Sequence, residues 1–194
     1  MATLNIMIGF PGSGKSSYAR KYLLTNKSVY LSSDQIRVDM YGFEDQTHNS
    51  EVFERMKKET ILALQNGFDV IYDATNLVRK RREALIKDIK SKTQNIEINA
   101  YLCCTPINIV LERNMTRTER HLPWDKLEQM IKSIEVPMYY EGYNNIMLID
   151  GGMYNDIYDY NFLIKDCEGY SQDNPHHNET LAEHIKAVTK NVIE

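Results

Sequence analysis

Residues 9–16 combine the residue types that bind phosphate groups, and they stand in a fixed order. The segment reads Gly-Phe-Pro-Gly-Ser-Gly-Lys-Ser, a complete G-x-x-x-x-G-K-S phosphate-binding loop. Its glycines let backbone N–H groups approach phosphate oxygens, and the dipole of a following helix favours the same anion. The Lys15 ammonium is expected to reach the β- and γ-phosphates, and the Ser16 hydroxyl to ligate Mg²⁺. The residues of this segment predicted to bind the nucleotide are Gly9, Pro11, Gly12, Ser13, Gly14, Lys15, Ser16 and Ser17, and Arg113 and Arg117 complete the predicted set.

A carboxylate and an arginine follow the second apolar segment of the chain. Asp34 and Arg37 stand three residues apart, directly after residues 28–32, so one helix face would carry both. Asp34 could accept the proton of an acceptor hydroxyl as a general base, and Arg37 could hold an acceptor phosphate or the Asp34 carboxylate. The alternative is that Ser33 or Asp34 caps the helix and that Asp34 and Arg37 form a surface ion pair.

A second aspartate ends the apolar run Val70-Ile71-Tyr72-Asp73. A buried strand that ends in aspartate is typical of a metal-binding carboxylate in nucleotide-binding proteins, so Asp73 and Ser16 are the predicted Mg²⁺ ligands. The alternative interpretation is an aspartate in the turn that ends the strand.

Basic residues cluster in two places. Arg79-Lys80-Arg81-Arg82 would open a helix, where they could meet a substrate phosphate or form a solvated basic face. Arg113 and Arg117, four residues apart, lie in an arginine-rich segment that favours a helical lid over the nucleotide. There, a guanidinium could stabilise the charge of the transferring phosphoryl group. The alternative is a surface helix.

The elements that must position these residues alternate along the chain. Apolar strands are predicted near 4–8, 28–32, 69–73, 96–103 and 145–149. Helices are predicted near 14–25, 50–66, 78–91, 105–116 and 123–135. This alternation predicts an α/β fold, with a five-stranded parallel sheet, helices on both faces and a helical lid, over residues 1–150. Residues 151–194 are predicted to be a linker and a C-terminal helix near 179–193.

Composition restricts the function classes. The net charge of −4 argues against tight binding along a nucleic-acid strand, but it leaves room for a local basic patch that grips a strand end. No apolar run approaches the ~20 residues that cross a bilayer, so no membrane association is predicted. Three cysteines, Cys103, Cys104 and Cys167, do not suggest a disulfide framework, and a cytoplasmic location is expected.

Tyrosines concentrate late in the chain. Six of them could form a base-stacking or self-association surface, or they could be buried against the sheet. They are Tyr139, Tyr140, Tyr143, Tyr154, Tyr158 and Tyr160.

Together these motifs resemble the polynucleotide 5′-hydroxyl kinases of phage and bacterial end-healing enzymes. The resemblance rests on GFPGSGKSSYAR, SSDQIR, YDATNLVRKRR, LERNMTR and KSIEVP, which occur in the order and spacing of that family and cover about residues 1–140. It implies that ATP, or another nucleoside triphosphate, donates a phosphate to a 5′-hydroxyl end of RNA or DNA, with Mg²⁺ as cofactor. The same layout occurs in kinases of seryl-tRNA and of small molecules.

The resemblance assigns a role to individual residues. It implies that Lys15 and Ser16 bind ATP and Mg²⁺, that Asp34 is the general base, and that Arg37 binds the 3′-phosphate side of the acceptor. Asp73 lies near the metal and Arg117 contacts the β- and γ-phosphates, while Arg113 and Arg120 have less defined roles. Two further hypotheses remain open: a small-molecule or nucleoside kinase, and a non-catalytic ATP-binding switch.

The tail around Asp173-Asn174-Pro175-His176-His177 is similar to the opening of an HD-type phosphohydrolase domain, although the chain has no His-Asp dipeptide. This resemblance implies that the chain is the kinase part of a longer kinase–phosphatase. The alternative is that His176, His177 and His184 are surface residues beside a C-terminal helix.

Overall fold

A computed structural model describes residues 1–42, 47–117 and 121–150, together with Glu183. The strands are β1 (Ala2–Ile8), β2 (Ser28–Ser32), β3 (Asp69–Asp73), β4 (Ile96–Cys103) and β5 (Asn145–Ile149). The helices are α1 (Lys15–Tyr18), α2 (Ser33–Tyr41), α3 (Asn49–Gln65), α4 (Arg79–Lys92), α5 (Ile107–Met115) and α6 (Trp124–Ser133). A π-helical turn (Ala19–Leu23) continues α1, and a 3₁₀ turn (Tyr139–Glu141) precedes β5.

The five strands form one sheet in the order β2-β3-β1-β4-β5, and every neighbouring pair is parallel. The predicted fold class and sheet are therefore confirmed. Asp73 lies opposite Met7 of β1 on one side and opposite Ser32 of β2 on the other. The carboxyl ends of these three strands therefore meet at one edge, where ligands bind in open α/β sheets.

Both faces of the sheet are covered, which explains why the strands read as apolar runs. On one face Leu4, Ile6 and Ile8 of β1 belong to a core shared with Met56 of α3 and Ile89 of α4. The opposite face has a smaller core, in which β1 packs against the turn after α1 and against β3, β4 and β5; its buried members are Met7, Ala19, Ile71, Cys103 and Ile149. Burial on both faces is what a parallel sheet requires.

A third apolar cluster joins α5 and α6 to the sheet edge. Val110 of α5 and Leu127 of α6 are buried against Phe10 of the phosphate loop and Leu77 after β3. The arginine-rich segment predicted to form a lid begins in α5, which this cluster attaches to the phosphate loop.

Two local predictions are corrected. The N-cap of α2 is Ser32, with no side-chain capping bond, whereas Ser33 or Asp34 was predicted. Asp34 lies in the first turn, where its charge favours the helix dipole. Arg117 lies beyond the end of α5, so Arg113 and Arg117 do not share one helix face, because Thr116 is already the C-cap.

The part of the chain assigned to a linker and C-terminal helix lies outside the described residues, apart from Glu183. Several predictions concern this part of the chain: the division after residue 150, the three later tyrosines, Cys167 and the histidines of the phosphohydrolase-like segment. Arg120 of the predicted lid lies earlier in the chain and is also outside the described residues. Within the described residues, no helix has the length and apolar character needed to cross a membrane.

Candidate active site

The phosphate-binding loop occupies the connection between β1 and α1, and its backbone needs glycine. Gly9 has a φ of 147°, and a Cβ there would lie 2.8 Å from Ser13 Oγ and 3.0 Å from Cys103 Cβ. Gly12 and Gly14 also have positive φ values, of 88° and 92°. The Gly9 N–H donates to Thr75 O at 3.0 Å, which ties the loop to the end of β3.

Lys15 begins α1 and is almost fully buried, with 7% of its surface exposed. Its ammonium donates to Phe10 O at 2.7 Å, so the loop folds around its own lysine. Burial lowers the pKa of Lys15, while the negative charges of Asp73 and Asp34 act in the opposite direction. The charge of Arg117 also lowers the pKa of Lys15, and both side chains line the same cavity.

Ser16 and Asp73 meet as the sequence predicts. Ser16 Oγ donates to Asp73 Oδ2 at 2.5 Å, and the Asp73 side chain is buried at the end of β3. The Tyr30 hydroxyl of β2 donates to the same Asp73 oxygen. Burial and this carboxylate together raise the pKa of Tyr30 to about 12, so the hydroxyl remains a donor at neutral pH.

A hydroxyl beside a buried carboxylate suits a small hard cation. Mg²⁺ prefers oxygen ligands and is typically held by one or two protein groups together with substrate phosphates and water. Ser16 and Asp73 supply such a pair beside the phosphate loop. No cluster of three or more His, Cys, Asp or Glu side chains with metal-binding geometry occurs in the described part of the chain. The donor set therefore fits a cation that shares its coordination with a bound nucleotide.

Asp34 and Arg37 form an ion pair on the first turns of α2. Arg37 Nη1 lies 2.9 Å from Asp34 Oδ1, and Arg37 Nη2 donates to Asn49 Oδ1 at 2.6 Å. The Arg37 side chain is only 6% exposed, whereas the Asp34 side chain is 45% exposed. Arg37 Nε is buried and has no hydrogen-bond partner among the described residues. The pair is thus a buried cation that holds an accessible carboxylate, rather than a surface ion pair.

The end of α5 carries part of the arginine-rich segment predicted to form a lid. Arg113 donates to Gly12 O at 3.1 Å, so it contacts the phosphate loop directly. Asn114 is buried and bridges to Leu122 in both directions, with bonds of 2.9 and 3.0 Å. This bridge joins the end of α5 to the residues before α6, and Arg117 lies between its two ends in sequence.

The residues of the basic run at the start of α4 have different roles. Neither predicted alternative, a contact with a substrate phosphate or a solvated basic face, fits all four of them. Arg82 is buried and paired with Glu141 through two 2.8 Å bonds, so it is a structural residue. Arg79 contacts Glu135 through its backbone N–H, at 2.7 Å. Only Arg81 lines the same cavity as the phosphate loop.

One cavity of about 910 Å³ collects these groups. Its lining includes five cationic side chains and two carboxylates, a charge balance that suits an anionic ligand. The cations are Lys15, Arg37, Arg81, Arg113 and Arg117, and the carboxylates are Asp34 and Asp73. Two of the predicted nucleotide-binding residues, Gly9 and Ser13, do not line the cavity. Ser13 is fully buried, and Gly9 packs against Cys103.

Three residues at the site were not predicted from the sequence. Tyr30 contacts Asp73, Asn49 contacts Arg37, and the Phe53 ring lies 5.9 Å from the Arg37 guanidinium carbon. Asn49 and Phe53 belong to α3, whose sequence shows only an amphipathic pattern. A polar asparagine at the start of a helix otherwise resembles an ordinary terminal residue, so no local signal marks it.

Comparisons with known proteins show the family and the fold of the chain. The model of the AAA domain family AAA_33 matches residues 4–137, more than half of the chain. L-seryl-tRNA(Sec) kinase of Methanococcus maripaludis is 28% identical over 141 residues, which are 69% of this chain and 53% of that protein. The chain therefore spans about half the length of this curated relative.

Two solved structures have similar folds. A chain in the Pnkp1/Rnl/Hen1 RNA repair complex matches 68% of this chain and 43% of its own length, with 24% identity and a TM-score of 0.55. A candidate kinase from Chloroflexus aurantiacus matches 99% of this chain and 96% of its own length, with 15% identity and a TM-score of 0.65. At these identities the likeness concerns the fold.

Proposed function

We propose that this chain, which belongs to the AAA domain family AAA_33 and has the P-loop kinase fold, transfers the γ-phosphate of ATP to a 5′-hydroxyl end of RNA or DNA. The observation that carries the proposal is the Asp34–Arg37 pair, which lines the same cavity as the phosphate loop. A carboxylate suited to deprotonating a hydroxyl and a buried cation suited to an acceptor phosphate stand side by side there.

The sheet provides room for both substrates. The phosphate loop follows β1 and Asp34 follows β2, with β3 between them. Two strand spacings separate these positions by about 10 Å. A transferring phosphoryl group between them would have the loop on its donor side and Asp34 on its acceptor side, as in-line transfer requires.

Each residue of the site has a separate role in the proposed transfer. Asp34 accepts the proton of the acceptor hydroxyl, and its bond with Arg37 orients the carboxylate. Lys15, Arg113 and Arg117 supply positive charge for the phosphate oxygens as negative charge redistributes during transfer. Ser16 and Asp73 would hold Mg²⁺, which supplies Lewis-acid neutralisation of the phosphates.

The buried Arg37 favours an acceptor that is itself anionic. Its Nε has no hydrogen-bond partner among the described residues, and a buried unsatisfied donor is unfavourable unless a ligand occupies it. A strand end carries a phosphate next to its terminal nucleoside, whereas a free nucleoside or sugar has none.

A second candidate acceptor is an aminoacyl-RNA. It is favoured by one observation, the 28% identity with L-seryl-tRNA(Sec) kinase over 141 residues. There the acceptor hydroxyl would belong to a seryl group, and the same Asp34 would take its proton.

Label transfer from γ-labelled ATP with Mg²⁺ tests the proposal. The acceptors are a 5′-hydroxyl RNA, the matched DNA, the same strands with a 5′-phosphate, seryl-tRNA, and a mixture of nucleosides and sugars. We expect label only on the 5′-hydroxyl strands, and none with Lys15→Ala, which controls for contaminating kinases. Label on seryl-tRNA alone would select the second candidate. Label on the small molecules alone would contradict both.

A further inference from the structure

The turn between α6 and β5 exposes large apolar side chains in an unusual way. We name residues 136–142 the tyrosine turn. Val136, Met138, Tyr139 and Tyr140 are exposed by 57%, 44%, 63% and 65%. Tyr143, immediately after the turn, is buried against the sheet core. Neighbouring large apolar side chains left in water usually mark an interaction site.

The tyrosine turn is held in this conformation by a buried acid. Glu141 Oε1 accepts hydrogen bonds from Met138 N at 2.9 Å and from Arg82 Nη2 at 2.8 Å. Gly142 N donates to Tyr139 O at 2.9 Å, which closes the 3₁₀ turn. The charged residue is therefore inside and the aromatic residues are outside, the reverse of what the hydrophobic effect alone would favour. The aromatic rings are presented on a preorganised support.

Cations lie beside the exposed rings. The Arg79 guanidinium carbon lies 5.5 Å from the Tyr140 ring centroid. Lys80 and Arg81 follow on the same first turn of α4, and both are exposed. Negative charge is also present: Arg79 Nε lies 4.0 Å from Glu135 and 3.8 Å from the buried Glu141.

The basic turn connects the aromatic surface to the candidate active site. Arg81 lines the active-site cavity, while Arg79, two residues earlier, contacts Tyr140. One helical turn is about 5.4 Å long, so the cation at the cavity and the cation at the exposed tyrosines belong to one short segment of the chain.

We propose that the tyrosine turn and the first turn of α4 bind the body of a single-stranded nucleic acid whose 5′ end occupies the cavity. The inference rests on the proposed function for the position of that end. Exposed aromatic rings stack on bases without sequence preference, and adjacent cations pair with the backbone phosphates. The surface thus offers an extended contact to the strand despite the overall net charge of −4.

Binding of labelled oligonucleotides without ATP tests the surface directly. Fluorescence anisotropy would compare strands of about 3 and about 12 nucleotides, which lie below and within the usual site sizes. The variants are the double substitution Tyr139→Ala and Tyr140→Ala, and Phe68→Ala as the matched control. Phe68 is 44% exposed but directly precedes β3, at the opposite edge of the sheet from the cavity.

We expect the double variant to lose about 5- to 150-fold in affinity for the long strand, the range for one stacked base. The short strand and Phe68→Ala should show little change. In transfer assays the KM for the long strand should rise while kcat stays constant. Equal affinity of wild type and double variant for the long strand would overturn the inference. It would also be overturned if the double substitution changed only the oligomeric state, because the turn would then be a self-association surface.

The two proposals fail in different ways. A wild-type protein that binds the long strand through the tyrosine turn but transfers no phosphate to it would contradict the proposed function and keep the surface. Transfer with equal KM for short and long strands, in wild type and double variant alike, would contradict the surface and keep the function.

Discussion

Arg82 and Glu141 form a buried ion pair, in which Nε donates to Oε2 and Nη2 donates to Oε1, both at 2.8 Å. The Arg82 Nη1 group also donates to Asn76 O and Leu77 O, at 3.0 and 2.8 Å. This one guanidinium therefore joins the turn after β3, the start of α4 and the tyrosine turn. It explains why part of a conspicuous basic run is unavailable to any ligand.

Glu141→Gln should destabilise the protein strongly, because it leaves the Arg82 charge buried without its partner. Loss of one member of such a pair reduces the free energy of unfolding by about 3–5 kcal/mol. Urea denaturation would measure it. Glu128→Gln is the matched control, since Glu128 pairs with Lys132 at 2.8 Å on the surface, where the loss should stay below about 1 kcal/mol. Equal losses in the two variants would contradict the structural role of the buried pair.

Asp34→Asn should reduce phosphate transfer by about 10²–10⁴-fold, the usual contribution of a general base. The effect should fall on kcat, and the thermal midpoint should also fall, because Asp34 is the carboxylate paired with the buried Arg37 cation, so kcat is compared at a temperature where the variant is folded. Asp39→Asn on the same helix is the control, since Asp39 only accepts a surface bond from Gln35. A folded Asp34→Asn protein with normal kcat would remove Asp34 from the proton transfer.

Lys15 should make nucleotide binding sensitive to alkaline pH. Burial lowers the pKa of Lys15 below its usual value of 10.5, so between the lowered pKa and 10.5 the unfolded chain holds the proton more tightly than the folded protein. The ligand-free protein therefore gains stability as pH rises through this window. Phosphates favour the charged lysine, so nucleotide affinity should fall over the same window.

Nucleotide titrations from about pH 7.5 to about pH 10 would check this expectation, with Lys15→Arg as the comparison. Arginine stays charged throughout, so its affinity should be lower overall but less dependent on pH. Cys103 and Tyr30 do not interfere, because burial raises the pKa of Cys103 to about 11 and burial with the Asp73 contact raises that of Tyr30 to about 12. Parallel pH profiles for wild type and Lys15→Arg would exclude Lys15 as the titrating group.

Tyr30→Phe should raise the Mg²⁺ concentration needed for half-maximal transfer by about 10-fold. Removing a group that orients a metal ligand usually weakens metal binding by about 10- to 100-fold, and we expect the lower end of this range. The variant removes the hydroxyl that donates to Asp73 Oδ2 and keeps the ring. Tyr101→Phe is the control, because Tyr101 packs in the same cluster on β4. Nucleotide affinity measured without Mg²⁺ should not change, and an unaltered Mg²⁺ dependence would show that Asp73 does not need this bond.

Much of the fold could be predicted from local patterns. Five apolar runs became the five parallel strands, and the helices α3 to α6 appear within about two residues of their expected bounds, because periodicity depends on near neighbours. The helical segment after the phosphate loop is shorter than predicted, and α2, expected from the spacing of Asp34 and Arg37, was predicted without bounds. The phosphate loop was also recognisable, since each of its glycines, its lysine and its serine acts through its own position in a short segment. The meeting of Ser16 with Asp73 followed from the parallel order of strands, which brings their carboxyl ends to one edge.

The sequence by itself therefore determined the class of fold, the phosphate loop and the pairing of Ser16 with Asp73. Only the tertiary structure decided which of the remaining polar and aromatic residues are buried and which are available. Arg81 and Arg82 are adjacent in a basic run. Arg82 is buried in an ion pair with Glu141, 59 residues away in the chain, whereas Arg81 lines the cavity. Tyr143 is buried while Tyr139 and Tyr140 are exposed. The physical reason is that burial and pairing depend on strand register and helix packing, which join residues far apart in the chain.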